Sequence, residues 1–257
     1  MKKVFLTILV SICMLVAAGN ASAMPFILDP DAALSTSFGT TGILGSIQFY
    51  SQTTSTHTSP TTFTDKGSIF STGFIPVLAD DAELNSDWYL LGRWDDLTGN
   101  VSGGQYNYTF GTLTLFATTT APDFGTDPEI DGLASFIGAD DDTGFTGVEI
   151  AQLSLISGFS TPTGVKLNWK FDSLLDGFWL AKDGVTHLTA LDANYDPFLL
   201  AFASTDNNYI KVDGAKIYSD HDGSVSLGVV PEPASMLLFG SGLFGLVGAG
   251  IKKRRIS

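Results

Sequence analysis

The residues best suited to chemistry in this chain are oxygen donors. Asp127, Glu129 and Asp131 stand two apart and run into Gly132, as carboxylates do at the start of a calcium loop. The loop is incomplete, because Gly138 occupies the place of the closing bidentate Glu. Asp140, Asp141 and Asp142 form a second cluster, and Asp220-His221-Asp222-Gly223 a third. Oxygen-rich loops suit a hard cation, so Ca2+ is the candidate ligand of Asp127, Glu129, Asp131, Asp140 and Asp142; solvated turns of an acidic protein are the alternative. Trp88 and Trp94 flank a short apolar run beside Asp87, Asp95 and Asp96. They are the candidate aromatic surface for carbohydrate, since indole faces stack on apolar ring surfaces. Trp169 is in phase with a buried face and is expected in the core.

Motifs for catalysis are missing. His57, His187 and His221 are the three histidines, without H-E-x-x-H or another paired spacing for zinc. No G-x-S-x-G elbow occurs. Cys13 is the single cysteine and lies in the apolar N-terminal run, so the remainder of the chain has neither a disulfide nor a thiol nucleophile. A Ser-His-Asp set or a carboxylate pair can assemble in space from distant positions, and among so many serines and acids neither is informative. The reading is therefore non-catalytic.

The two ends carry addresses. Lys2 and Lys3 precede an apolar run that ends in Ala21-Ser22-Ala23, the order of a secretory signal peptide over residues 1–23. At the other end stands Pro231-Glu232-Pro233, followed by 18 uncharged residues, 234–251, and then Lys252, Lys253, Arg254 and Arg255. As a helix that segment would span about 27 Å, close to a bilayer core of roughly 30 Å. The basic block would stay on the cytoplasmic side. Two prolines hold the triplet extended, where a membrane-embedded protease can grip it. A permanent single-span anchor is the alternative.

The Pro-Glu-Pro triplet, the Gly-rich apolar segment and the terminal basic cluster, in that order, closely resemble the PEP-CTERM sorting signal. The resemblance covers residues 231–257. It implies an exosortase, a membrane protease, as a partner that recognises Pro231, Glu232 and Pro233 and removes the tail. It also implies transient insertion in the inner membrane, followed by release or transfer to the cell surface or extracellular matrix. Known carriers occur in biofilm- and floc-forming bacteria that make exopolysaccharide. The start Met24-Pro25-Phe26-Ile27-Leu28-Asp29-Pro30 and the stretch Phe63-Thr64-Asp65-Lys66-Gly67 further resemble the flocculation-associated subset of these proteins.

Between the signals lies a body, residues 24–230, with seven basic and 26 acidic residues and hence a net charge of −19. Such a surface repels nucleic acid and anionic lipid and keeps an exported protein soluble. The body is expected to be all-β, an antiparallel β-sandwich or jelly roll in one domain. Residues 165–171 alternate apolar and polar side chains, the period of a half-buried strand. Residues 106–110 alternate on one phase and Leu113 and Leu115 on the other, which predicts a bulge at Gly111. Further short strands are expected at 68–78, 88–93, 148–156, 178–181, 198–203, 209–212, 215–218 and 225–229. Turns are expected at Gly99, Gly177, Gly184, Gly214 and Gly223, and the Ser/Thr-rich stretch 51–64 reads as an exposed loop.

Three functions compete. A structural or adhesive matrix protein, acting by display alongside exopolysaccharide, expects no pocket with convergent polar groups. A secreted polysaccharide hydrolase requires one, with perturbed acids inside. A calcium- or carbohydrate-binding module is the third.

Overall fold

A computed structural model describes residues 24–76, 84–121, 147–161, 164–188 and 198–229. The signal peptide, the calcium candidates Asp127, Glu129, Asp131, Asp140 and Asp142, and the tail with Pro231, Glu232 and Pro233 lie outside the described residues.

The body is antiparallel β, as its alternating segments and turn residues lead one to expect. Residues 23–228 form one compact unit. The strands are β1 (Phe26–Leu28), β2 (Ser46–Ser59), β3 (Thr62–Ile75), β4 (Tyr89–Ser102), β5 (Gln105–Phe110), β6 (Thr112–Thr118), β7 (Val148–Thr161), β8 (Gly164–Leu174), β9 (Trp179–Ala181), β10 (Phe198–Asp213) and β11 (Lys216–Val229). Among the described residues the helical content is a single 3-10 turn, Pro30–Ala32, in which the Asp29 carboxylate accepts from the Asp31 N–H.

Nine of these strands form one sheet in the order β3-β2-β11-β10-β8-β7-β5-β4-β6, and β3–β4 and β7–β6 also pair. Those two additional pairings close the sheet. β5 and β6 behave as one stave interrupted at Gly111, since both pair with β4 on one side and β7 on the other. The phase change expected at Gly111 is therefore present. The result is a barrel of eight staves. Closure packs two sides of one sheet against each other, as a sandwich does, and among the described residues gives each stave a paired neighbour on both sides.

Closure also explains why the strands run longer than the sequence pattern indicates. Stretch 51–64, expected to be an exposed loop, is the hairpin of β2 and β3. Ser51, Thr53 and Ser55 face inward on the same alternation as Ile47 and Phe49. Polar residues on the inner face mimic a loop in a one-dimensional reading, while β-branched Thr favours the extended chain. Likewise Gly99 and Gly223, expected in turns, lie within β4 and β11. Gly177, Gly184 and Gly214 do make turns, each with positive φ.

The interior has two unlike halves. At the end where β2 begins, Ile47, Phe49, Ile69, Leu90, Leu115 and Val225 are buried together. The separate β1–β9 ribbon supplies more of this apolar cluster, with Leu28 paired to Trp179. The Trp179 ring lies 6.0 Å from Phe26, 5.6 Å from Phe171 and 5.5 Å from Phe178. Its Nε1–H donates to the Ile150 carbonyl at 3.0 Å, so the indole is buried without an orphaned donor. Toward the opposite end, where tight hairpins join β2 to β3, β4 to β5, β7 to β8 and β10 to β11, the inward residues of β2 and β11 turn polar, while Phe63, Leu97, Tyr108 and Leu167 on the other strands stay apolar.

Candidate functional site

The polar half encloses a cavity of about 320 Å³. Each wall follows from strand alternation. β2 contributes Ser51, Thr53 and Ser55, and β11 contributes Ser219 and His221. Opposite them are Leu97, Tyr108 and Leu167, from β4, β5 and β8. Gly104, Gly164 and Val212 line it as well. These belong to the hairpin end, and Val212 is 66 % exposed, so the cavity reaches the surface side of the barrel there.

Asp65 is the cavity's carboxyl group among the described residues. It sits inward on β3, between Phe63 and Gly67, and is 3 % exposed. The indole N–H of Trp94 donates to its Oδ1 at 2.6 Å, and the Ser55 hydroxyl donates to its Oδ2. Burial nonetheless dominates these two bonds and pushes the carboxyl up to about 6. Desolvation penalises the charged form by more than two donors recover. Tyr108, buried beside it, is raised well above the ordinary phenol by burial and then by the Asp65 charge.

A second chain of bonds crosses from β2 to β11. Thr53 and Ser219 share a hydrogen bond of 2.7 Å between hydroxyls. Ser219 Oγ lies 2.9 Å from His221 Nε2. The His221 ring is 7 % exposed, and among the described residues its Nδ1 meets no partner. Burial lowers this imidazole to about 4, against a smaller upward pull from Asp222. Nearer the hairpins, His57 Nε2 and the Tyr106 hydroxyl are 2.8 Å apart.

Trp88 and Trp94 are not an exposed carbohydrate surface. Trp88 is 0 % exposed and packs edge-on to Phe178 at 6.2 Å. Trp94 is 3 % exposed and faces inward on β4. Its ring lies over Gly67 of the neighbouring strand, where a Cβ would overlap the indole. Asp95 points to the outer face, in its ion pair with Arg93 at 2.6 Å, and the half-buried Asp96 accepts from the Thr112 N–H and hydroxyl. Trp169 is buried, as expected. His221, grouped by sequence with a possible cation loop, is instead an inward residue in the middle of β11. His187 lies beside the β1–β9 ribbon, with Nδ1 2.7 Å from Asp176 Oδ1. Among the described residues no cluster of three or more His, Cys, Asp or Glu could hold a metal ion.

Sequence reasoning did not gather Asp65, Thr53, Ser55, Ser219 and His221 into one site. The available signal was their alternation: 51, 53 and 55 continue the phase of 47 and 49, and Asp65 keeps the phase of Phe63. The cavity also departs from the expectation for pure display, because it does gather convergent polar groups and a perturbed acid.

No curated protein and no solved structure matches the chain. Residues 229–255 match the PEP-CTERM protein-sorting motif. The match contains Pro231, Glu232 and Pro233, the apolar segment and the basic cluster that carried the resemblance. It implies export, transient membrane anchoring and processing by an exosortase. The chain carries a PEP-CTERM protein-sorting motif at residues 229–255.

Proposed function

We propose that the exported barrel is a non-catalytic structural or adhesive protein of the extracellular matrix, working with exopolysaccharide in biofilm or floc formation after its tail is removed. The observation that supports this reading best is the closed barrel beneath a strongly acidic surface. Closure removes the sheet edges through which exported β-proteins aggregate, and excess negative charge keeps neighbouring copies apart. The body is thus suited to persist in a wet matrix without disulfides.

The cavity supports binding over cutting. Glycoside cleavage ordinarily uses two carboxyl groups about 5–9.5 Å apart, whereas Asp65 is the single acid among the described lining residues. The Ser219–His221 contact has the length of a nucleophile–base pair, but among the described residues Nδ1 has no partner to orient the ring. An imidazole lowered to about 4 is also a weak base.

The test is genetic and biochemical together. Deleting the protein should reduce aggregation of the producing cells, and the processed protein should leave their exopolysaccharide at full length. Depolymerisation by the purified protein would replace this reading with the hydrolase. For the sorting step, Glu232→Ala removes the one charge between Asp222 and Lys252 and should leave uncut chain in the inner membrane. Intact mass of exported wild-type protein should show loss of the tail beyond the region of Pro233.

A further inference from the structure

The cavity offers more hydrogen bonding than its own residues consume. His221 Nδ1 is buried without a partner, and such a group costs about 1–3 kcal/mol when left unsatisfied. The hydroxyls of Thr53 and Ser219 bond to each other and onward to His221 Nε2. Each hydroxyl keeps acceptor capacity, since it carries two lone pairs. A row of polar groups thus runs down one wall. The facing wall, Leu97, Tyr108, Val165 and Leu167, is apolar apart from the tyrosine hydroxyl.

Charge narrows what can enter. None of the described lining residues is Lys or Arg, so none of them would neutralise a carboxylate, sulfate or phosphate. Asp65 already accepts a bond on each oxygen from Trp94 and Ser55, which leaves it engaged before a cation arrives. A neutral ligand avoids both problems. The volume of about 320 Å³ lies at the lower end of small-molecule sites, which run to roughly 300–1,000 Å³. It suits a single ring rather than a chain.

We propose that this cavity binds one neutral sugar ring, its C–H face against Leu97, Tyr108 and Leu167 and its hydroxyls against Thr53, Ser219 and His221. A pyranose has the two unlike faces that the two walls require, and its hydroxyls meet the Thr53–Ser219 row. The ring enters from the hairpin end, past Gly104 and Val212. The assignment rests on the proposed matrix role only for the source of the sugar, a terminal or branch unit of an extracellular polysaccharide.

The experiment uses processed protein recovered from the cell exterior. It is titrated with glucose, galactose, mannose and N-acetylglucosamine, and in parallel with glucuronate, glucosamine and cyclohexanol. At least one neutral sugar should raise the thermal midpoint in a saturable way and change tryptophan emission, because Trp94 lines the site. The charged sugars and cyclohexanol should not. Thr53→Val keeps the shape of the wall and removes its hydroxyl, and should weaken binding about tenfold, the equivalent of roughly 1.4 kcal/mol. Ser51→Leu fills the cavity and should abolish binding. Lys170→Ala, on the outer face, should leave it unchanged. Absence of a saturable shift with every neutral sugar, equal binding of the charged sugars, or unaltered affinity in Thr53→Val would overturn the site. If sugar binding fails while gene deletion still disperses the cells, the cavity assignment falls and the matrix role stands. If sugar binds but deletion leaves aggregation unchanged, the site stands and the matrix role falls.

Discussion

The two halves of the barrel are built on the same strands and obey opposite rules. In the half beside the β1–β9 ribbon, inward positions hold Ile47, Phe49, Leu115 and Val225, and the void among them is about 20 Å³. In the hairpin half, the same strands turn Ser51, Thr53, Ser55, Ser219 and His221 inward around about 320 Å³. Eight strands make an interior that side chains can just fill or that can hold one small ligand. This chain does both, one in each half. The packed half joins the rings of Phe26, Phe171, Phe178 and Trp179, and the open half is continuous with it through the shared strand ladders.

The largest test of that division compares one side chain from each half. Trp179→Ala removes a ring in contact with Phe26, Phe171 and Phe178 and should cost about 3–5 kcal/mol in urea unfolding. Ser51→Ala, in the cavity wall, should cost less than about 1 kcal/mol. Equal losses would show that the cavity half carries as much of the stability as the packed half.

A second test uses pH, since the cavity half holds two shifted groups of opposite sign. Asp65 rises from 3.8 to about 6 on folding. The native state then binds the proton more tightly, so the contribution of Asp65 is full below pH 3.8 and is lost as pH rises to about 6. His221 falls from 6.5 to about 4. Its contribution is full above pH 6.5 and is lost as pH falls toward 4. Each shift is worth about 3 kcal/mol in order of magnitude, and across the shared window the two nearly cancel. Asp65→Asn should therefore unmask a stability that rises from pH 4 to 6.5, and His221→Gln one that falls from pH 4 to 6. Urea midpoints across that range, read as differences from wild type, decide it. Parallel profiles for both variants would remove the claim that the cavity half is the pH-sensitive one.

Gly67→Ala probes the boundary between packing and cavity. The new methyl would overlap the Trp94 indole, which must then shift and loosen its bond to Asp65. A loss of roughly 1–3 kcal/mol is expected, with a change in tryptophan emission. An unchanged spectrum would mean that Trp94 is not seated against Gly67.

The smallest expected effect is at Asp95, outside both halves. Its ion pair with Arg93 is half exposed to solvent, and exposed pairs contribute about 0–1 kcal/mol. Asp95→Asn should shift the urea midpoint little, which calibrates the larger effects against a change on the outer face.

The sequence by itself determined the address and the class. The sorting signal is legible because Pro-Glu-Pro, an uncharged segment and a basic block act in linear order on a linear reader, and residues 229–255 bear this out. The all-β character is legible because alternation over 165–171 and the phase change across Gly111 are local. Tertiary structure decided closure, and closure decided the rest. Whether Ser51, Thr53 and Ser55 form a loop or an inner wall depends on what lies across the barrel from them. Trp94 looks like a surface residue beside Asp95 and Asp96 until β3 brings Gly67 and Asp65 beneath it. Ser55 and Asp65 meet across a hairpin, while Thr53 and Ser219 are 166 positions apart and meet only because β11 pairs with β2. Local propensity sets which residues face one way, but which face becomes the inside, and whether that inside is filled, is fixed only when the first and last staves join.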